Sequence, residues 1–149
     1  MLNLDGNRFT SGVATYYETD PSLGSDQTSV HIQISVNGTE QIVTSARVDP
    51  ATPWVILNAE LNDLLGLRAN RNNDIELHTL AGVKRGSLER FPITVSAENG
   101  LPLEIEATLF VCNDWARGNF LGYSGFLQRF RFAIDPTSCH FHFGPPPGE

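Results

Sequence analysis

Period-two alternation of apolar and polar residues, interrupted at short intervals by turn sequences, most constrains the fold of this chain. In segment 30–36 every second residue is apolar, and the turn pair Asn37-Gly38 follows directly. This pattern predicts a half-buried strand and a tight hairpin, with the returning strand over 41–48. Further strands are predicted over 13–17, 55–57, 75–80, 87–95, 101–111 and 130–135, with one more near the C-terminus. Many short strands separated by turns are typical of an all-β sandwich or barrel.

Two short helices interrupt the strands. Asn58 can cap a helix over 58–65, with Leu61, Leu64 and Leu65 on one face and Gly66 at its end. A second, shorter helix is predicted over 124–130.

The length and charge of the chain limit the functions that it can have. The chain has 149 residues, 40% hydrophobic and 18% charged, which fits one globular domain with its own core. The net charge is −7 and the ten basic residues are scattered, so a nucleic-acid partner is not expected. No apolar run is long enough to span a bilayer. The first residues lack a basic region followed by an apolar one, so we expect no secretory signal and a cytoplasmic location.

The cysteines and histidines predict no cofactor or metal site. Cys112 and Cys139 are expected to be reduced and buried rather than bridged. His140 and His142 alternate on a predicted strand and share one face, but no third ligand accompanies them. They are interpreted as strand-surface residues.

One carboxylate marks a candidate site. Asp49 stands where the strand 41–48 breaks into a turn, followed by Pro50, Ala51 and Thr52 and then by an apolar run. A second segment, 120–127, consists of Phe120, Leu121 and Gly122 followed by the predicted short helix, and a strand comes next.

These two segments, in this order, resemble the two signatures of the retropepsin-like aspartic proteases. The resemblance implies an all-β, retropepsin-like acid-protease barrel over 29–144, preceded by an arm over 1–28 with one edge strand and followed by a Pro-rich tail over 145–149. Residues around the turn 81–86 resemble the flap hairpin that covers substrate in that family, with Ala81, Gly82 and Val83 at its tip. Seven apolar residues are then expected to be buried beneath the Asp49 loop: Val55, Ile56, Leu109, Phe120, Leu121, Phe126 and Leu127.

The resemblance also implies a mechanism. Two aspartates held against one water share a proton, so that one acts as base and the other as acid. Because this chain supplies one such loop, the pair requires a homodimer that brings Asp49 of each subunit to a twofold axis. Asp114, in a polar loop, and Asp135, before Pro136, are interpreted as structural.

The loop departs from the family pattern, which has Thr and Gly after the aspartate. That threonine joins the two loops through its hydroxyl and its N–H, and Pro50 has neither group. Ala51 keeps the N–H but adds a methyl group to a crowded axis.

Three functions therefore stay open. The first is an aspartic endopeptidase acting on extended peptides as a homodimer. The second is a protease-fold protein, catalytically impaired, that binds peptides or proteins in the same cleft. The third is a structural domain in which Asp49 only stabilises a turn.

Overall fold

The computed structural model of the protein describes residues 1–19, 28–70, 74–80 and 82–148. These residues form short strands, one α-helix and a 3-10 turn. The strands are β1 (Asn3–Leu4), β2 (Asn7–Arg8), β3 (Gly12–Thr15), β4 (His31–Asn37), β5 (Gln41–Val48), β6 (Ile75–Thr79), β7 (Gly82–Val95), β8 (Asn99–Gly100), β9 (Leu103–Val111), β10 (Phe120–Leu121), β11 (Arg131–Asp135) and β12 (His140–Gly144). The helix α1 is Ala59–Leu64, and the 3-10 turn is Leu127–Arg129.

Two main sheets build the molecule. The larger has the strand order β10-β5-β4-β7-β6, with β9 also paired to β7; the smaller has the order β11-β12-β3-β8. Strands β1 and β2 form a separate hairpin. The β10–β5 pair is parallel, whereas the other pairs between the described strands are antiparallel. The all-β class predicted from the alternation is confirmed.

Strand β7 is the longest, and it was predicted to be shorter. It begins at Gly82 rather than at residue 87, because its first five residues pair with β6 before the strand continues alongside β9. Its last three residues also pair with β4. The strand thereby joins a projecting hairpin to the body of the sheet.

The alternation of buried and exposed residues that the sequence predicts for β4 is only partly observed. Ile32, Ile34 and Val36 are buried as predicted, but His31 and Ser35 on the opposite face are buried too. Because Gln33 between them is exposed, the face opposite the core is only partly covered.

Helix α1 begins and ends as its sequence predicts. The Asn58 side-chain oxygen accepts from the backbone N–H of Glu60 at 2.9 Å, and Gly66 follows the helix with φ +72°. Leu61 is buried, but Leu64 is 65% exposed, so the predicted apolar face is wrong at Leu64. Asn62 is buried instead, and its side-chain amide donates to the carbonyl of Leu57 at 3.2 Å.

The N-terminal arm contributes an inner strand. Strand β3 lies between β12 and β8, so the edge position expected for it is wrong. The domain limits at residues 28 and 144 remain predictions.

The apolar residues expected beneath the Asp49 loop are buried, with one exception. Phe120 is half-buried because its ring lies against Trp115 at the wall of an open cleft. The six others are at most 2% exposed: Val55, Ile56, Leu109, Leu121, Phe126 and Leu127.

Candidate active site

Asp49 follows the last residue of β5 and is held by its own backbone. Its N–H donates to the carbonyl of Leu121 at 3.0 Å, and its carbonyl accepts from the N–H of Thr52 at 3.1 Å. The N–H of Ala51 donates to the Asp49 carboxylate oxygen Oδ1 at 3.1 Å. The half-buried carboxylate therefore sits on a turn that is fixed at both ends and supplies it with one backbone donor.

The second signature segment lies directly against this turn. Strand β10 runs parallel to the end of β5, pairing Phe120 with Arg47 and Leu121 with Val48. The N–H groups of Tyr123 and Ser124 then donate to the carbonyls of Thr52 and Pro53, at 2.8 and 2.6 Å. The two segments that carry the family resemblance are thus joined by backbone hydrogen bonds.

Gly122 allows this close approach. A Cβ atom at this position would collide with the carbonyl oxygens of Trp54 and Thr52. The glycine of the second signature is therefore required by packing against the Asp49 loop.

Asn119 is part of the site and was missed by sequence reasoning. Its side-chain amide donates to the carbonyl of Ser45 at 3.1 Å, and its side-chain oxygen accepts from the N–H of Asn58 at 2.8 Å. Its own carbonyl accepts from the N–H of Arg47 at 2.8 Å. One side chain thus joins β5, the start of α1 and β10; the sole signal in the sequence is an asparagine directly before Phe120.

Asp49 opens onto a cleft of about 860 Å³. The cleft lies between the Asp49 loop and the β6–β7 hairpin, with Trp115, Arg117 and Phe120 on a further wall. Its lining consists of Thr28, Arg47, Asp49, Ala51, Thr52, Pro53, Ile56, Leu77, His78, Thr79, Leu80, Trp115, Arg117 and Phe120. Such a volume is typical of sites that enclose a ligand of moderate size.

The hairpin contributes β6 to this lining. Of the residues expected at a flap tip, Gly82 and Val83 are exposed and pair with Thr79 and His78, whereas Ala81 lies outside the described residues. Leu80, at the end of the hairpin, is fully exposed and lines the cleft. The flap role of these residues remains a prediction.

The turn residues after Asp49 are accessible. Pro50 and Ala51 are exposed and Thr52 is half-buried. Trp54 is half-buried and stacks on Phe110 with ring centroids 5.8 Å apart. Trp54 and Phe110 belong to a small core beneath the cleft, together with Ile56, Leu77, Cys112 and Trp115.

The other candidate carboxylates lie outside the cleft lining. Asp135 accepts from the hydroxyl of Ser138 at 2.8 Å and from the N–H of Thr137 at 3.1 Å, and these bonds hold its pKa below the ordinary value. Asp114 accepts from the Cys112 thiol at 2.9 Å and from Lys84, which lower its pKa. Both carboxylates therefore hold local structure, as expected.

The cysteines are free, as predicted, and Cys112 is buried. Burial, with the Asp114 carboxylate beside it, raises the pKa of the Cys112 thiol. Cys139 is only half-buried. Among residues 1–19, 28–70, 74–80 and 82–148, no group of three or more His, Cys, Asp or Glu side chains could hold a metal ion.

A comparison with solved structures identifies the fold. A crystal structure of a retropepsin-like aspartic protease from Rickettsia conorii matches 89% of this chain and 98% of its own, with a TM-score of 0.55. The protein has an all-β, retropepsin-like fold. The two sequences are 15% identical, so the similarity extends to the fold, and the activity must be argued from the site.

Two other comparisons give no match: neither a protein-family model nor a curated protein matches the sequence. In the described part of the chain, no helix is long and apolar enough to cross a membrane.

Proposed function

We propose that the protein is an aspartic endopeptidase that cleaves extended peptides as a homodimer, with Asp49 from each subunit as the catalytic pair. The observation that carries the proposal is the position of Asp49. Its carboxylate ends a strand, accepts the Ala51 N–H at 3.1 Å and lines a cleft of about 860 Å³ within a retropepsin-like fold.

The chemistry follows from two carboxylates that share one proton. The ionised carboxylate takes a proton from a water as the water oxygen attacks the peptide carbonyl carbon, and the protonated carboxylate donates to the carbonyl oxygen. The tetrahedral intermediate then collapses: the C–N bond breaks, the nitrogen receives a proton, and an acid and an amine are released. The reaction needs no metal or cofactor.

The cleft suits an extended peptide. It has a carboxylate on one side and the β6 hairpin strand on the other, and its lining includes the apolar side chains of Ile56, Leu77 and Phe120. Extended peptides bind such clefts through backbone hydrogen bonds, and apolar pockets receive alternate side chains.

A second function is favoured by one specific observation. Pro50 has no N–H and no hydroxyl, so the link that joins the two aspartate loops in the retropepsin-like family is missing from this chain. A protein with this departure can bind peptides in the cleft without hydrolysing them, since binding does not require the carboxylate pair.

Cleavage of a peptide library at acidic pH separates these functions. We expect the parent protein to cleave and Asp49→Asn to be inactive, because an amide cannot share the proton. Asp63→Asn, an exposed position on α1, is the matched control and should keep parental activity. Sedimentation of the same samples tests the homodimer, and cleavage that survives Asp49→Asn would contradict the proposal.

Peptide binding without cleavage by the parent would favour the second function. It would be detected by the fluorescence anisotropy of a labelled peptide.

A further inference from the structure

Two arginines line the cleft beside Asp49. Arg47 precedes Asp49 by two residues, and the buried Val48 between them belongs to the core. Residues two apart on a strand share a face and lie about 6.6 Å apart, at about 3.3 Å per residue. The Arg47 guanidinium lies over the Phe120 ring, 5.6 Å from its centroid, so it is held at the cleft wall.

Arg117 approaches from the loop before β10. Its carbonyl accepts from the side-chain amide of Asn58 at 2.8 Å, which fixes its backbone next to the start of α1. Its exposed side chain lines the same cleft as Arg47.

Three basic side chains outside the cleft lining have acidic neighbours among the described residues. Arg85 contacts Asp74 and Glu76 at 2.7 and 2.6 Å. Lys84 contacts Asp114 at 3.5 Å, and Arg90 contacts Glu106 at 3.9 Å. By contrast, no carboxylate of residues 1–19, 28–70, 74–80 and 82–148 lies within 4.0 Å of the Arg47 or Arg117 guanidinium.

The described lining of the cleft therefore carries more basic than acidic side chains, on a chain whose net charge is −7. Asp49 is the one carboxylate of its described lining, against two guanidinium groups. His78 also lines it and lies 4.0 Å from Glu76.

From this charge pattern we infer that the cleft selects peptides that carry an acidic side chain close to the peptide bond held at the Asp49 carboxylate. Guanidinium groups bind carboxylates with two parallel hydrogen bonds, and a half-buried arginine pairs more strongly than a solvated one. Arg47 lies on β5 and Asp49 directly follows that strand, and this two-residue spacing places that acidic side chain within one or two residues of the bond to be cleaved. The inference rests on the proposed function, because it assumes that a peptide lies in this cleft.

Binding of matched peptides tests the inference apart from catalysis. The probes are peptides with blocked termini that differ at one position, Glu or Gln, with that position moved along the peptide in a series. Titration into Asp49→Asn protein at pH 6 keeps glutamate ionised and prevents cleavage. For at least one position the Glu peptide should bind about fivefold more tightly than its Gln partner, and salt should weaken that preference.

Arginine variants test whether the preference for Glu peptides depends on Arg47 and Arg117. Arg47→Gln with Arg117→Gln should abolish the preference, and Arg47→Lys should keep part of it because the charge remains. Arg90→Gln is the matched control, since Arg90 is exposed on β7 outside the cleft lining, and it should keep the full preference. Equal binding of all Glu and Gln partners, or a preference unchanged in the double variant, would overturn the inference.

The two proposals fail in different ways. If the parent cleaves Glu and Gln peptides equally in an Asp49-dependent manner, the proposed peptidase activity is supported and the acidic selectivity is contradicted. If Glu peptides bind selectively but none is cleaved, the selectivity is supported and the proposed peptidase activity is contradicted. If no peptide binds and none is cleaved, both are overturned.

Discussion

The backbone N–H of Asp49 donates to the carbonyl oxygen of Leu121 at 3.0 Å, across two segments that are far apart in the sequence. This bond extends the parallel pairing of β5 with β10 by one residue and fixes the point at which the chain turns into the cleft. The position of the candidate catalytic carboxylate is therefore set by β10 as much as by its own loop.

Gly122→Ala tests this dependence. A methyl group would collide with the carbonyl oxygens of Trp54 and Thr52, so the Asp49 loop must shift or the fold must strain. We expect a loss of about 1–3 kcal/mol in the free energy of unfolding, measured by urea denaturation, and a loss of any Asp49-dependent cleavage. Tyr123→Ala is the control, because its exposed side chain can be removed while the N–H to Thr52 remains. Parental stability of Gly122→Ala would show that the loop can move freely.

A pair of leucines tests the described core. Leu121 is fully buried, whereas Leu64 on α1 is 65% exposed. Leu121→Ala should lower the free energy of unfolding by about 2–5 kcal/mol, because it leaves a cavity among close-packed side chains. Leu64→Ala should change it by about 0.5 kcal/mol or less. Equal urea midpoints for the two variants would contradict the burial of the second signature segment.

Local pattern in the sequence predicted most of the longer strands and the helix caps, because their causes are local. The strand predicted over 55–57 is wrong, since Val55 and Ile56 form only isolated bridges, to Leu109 and Phe120. Asn58 and Gly66 bound α1 through contacts made within a few residues. Leu64 and Ser35 were misjudged because their burial depends on which elements cover them, and a period along one strand or helix does not contain that information.

The site was predictable to the extent that its residues form recognisable segments. Asp49 and Gly122 stand in such segments, and the structure brings their loops together. Asn119, Arg47 and Arg117 contribute to the site through partners more than fifty residues away or through the shape of the cleft. No spacing in the sequence signals them.

His142 should make stability pH-dependent near neutrality. Burial, and to a lesser extent the charges of His140 and the N-terminus, lower the pKa of His142 from its ordinary value of 6.5, while Asp135 opposes the shift. Its Nδ1 is buried and has no hydrogen-bond partner among the described residues. Since the unfolded chain binds a proton more readily than the folded one, stability should fall as the pH drops below about 6.5.

Thermal unfolding between pH 7.5 and pH 5 measures this effect. His142→Gln removes the titrating group, so its melting temperature should fall less over that range than the parent's. The control is His78→Gln, a side chain 78% exposed on the cleft hairpin, which should follow the parent. Identical pH profiles for the parent and His142→Gln would assign the dependence to other groups.

The last prediction concerns the residues that depart from the family pattern. If Asp49 acts in a homodimer, the double variant Pro50→Thr with Ala51→Gly should supply the hydroxyl and N–H that Pro50 lacks and remove the Ala51 methyl group from the axis. Each hydrogen bond formed between the loops stabilises the dimer by about 0.5–1.5 kcal/mol, so the dissociation constant should fall about tenfold or more. Asp49-dependent cleavage should rise with it, because the two carboxylates would be held together.

Sedimentation and peptide cleavage on that variant measure both effects. Pro92→Thr, an exposed proline on β7 that pairs with Glu106, is the control for replacing a surface proline, and it should leave both unchanged. Because Pro50 and Ala51 are exposed, the double variant should fold like the parent, so its behaviour reports on association. A double variant that stays monomeric and inactive would contradict the homodimeric peptidase. That result would favour the second function, in which the cleft beside Asp49 binds peptides without cleaving them.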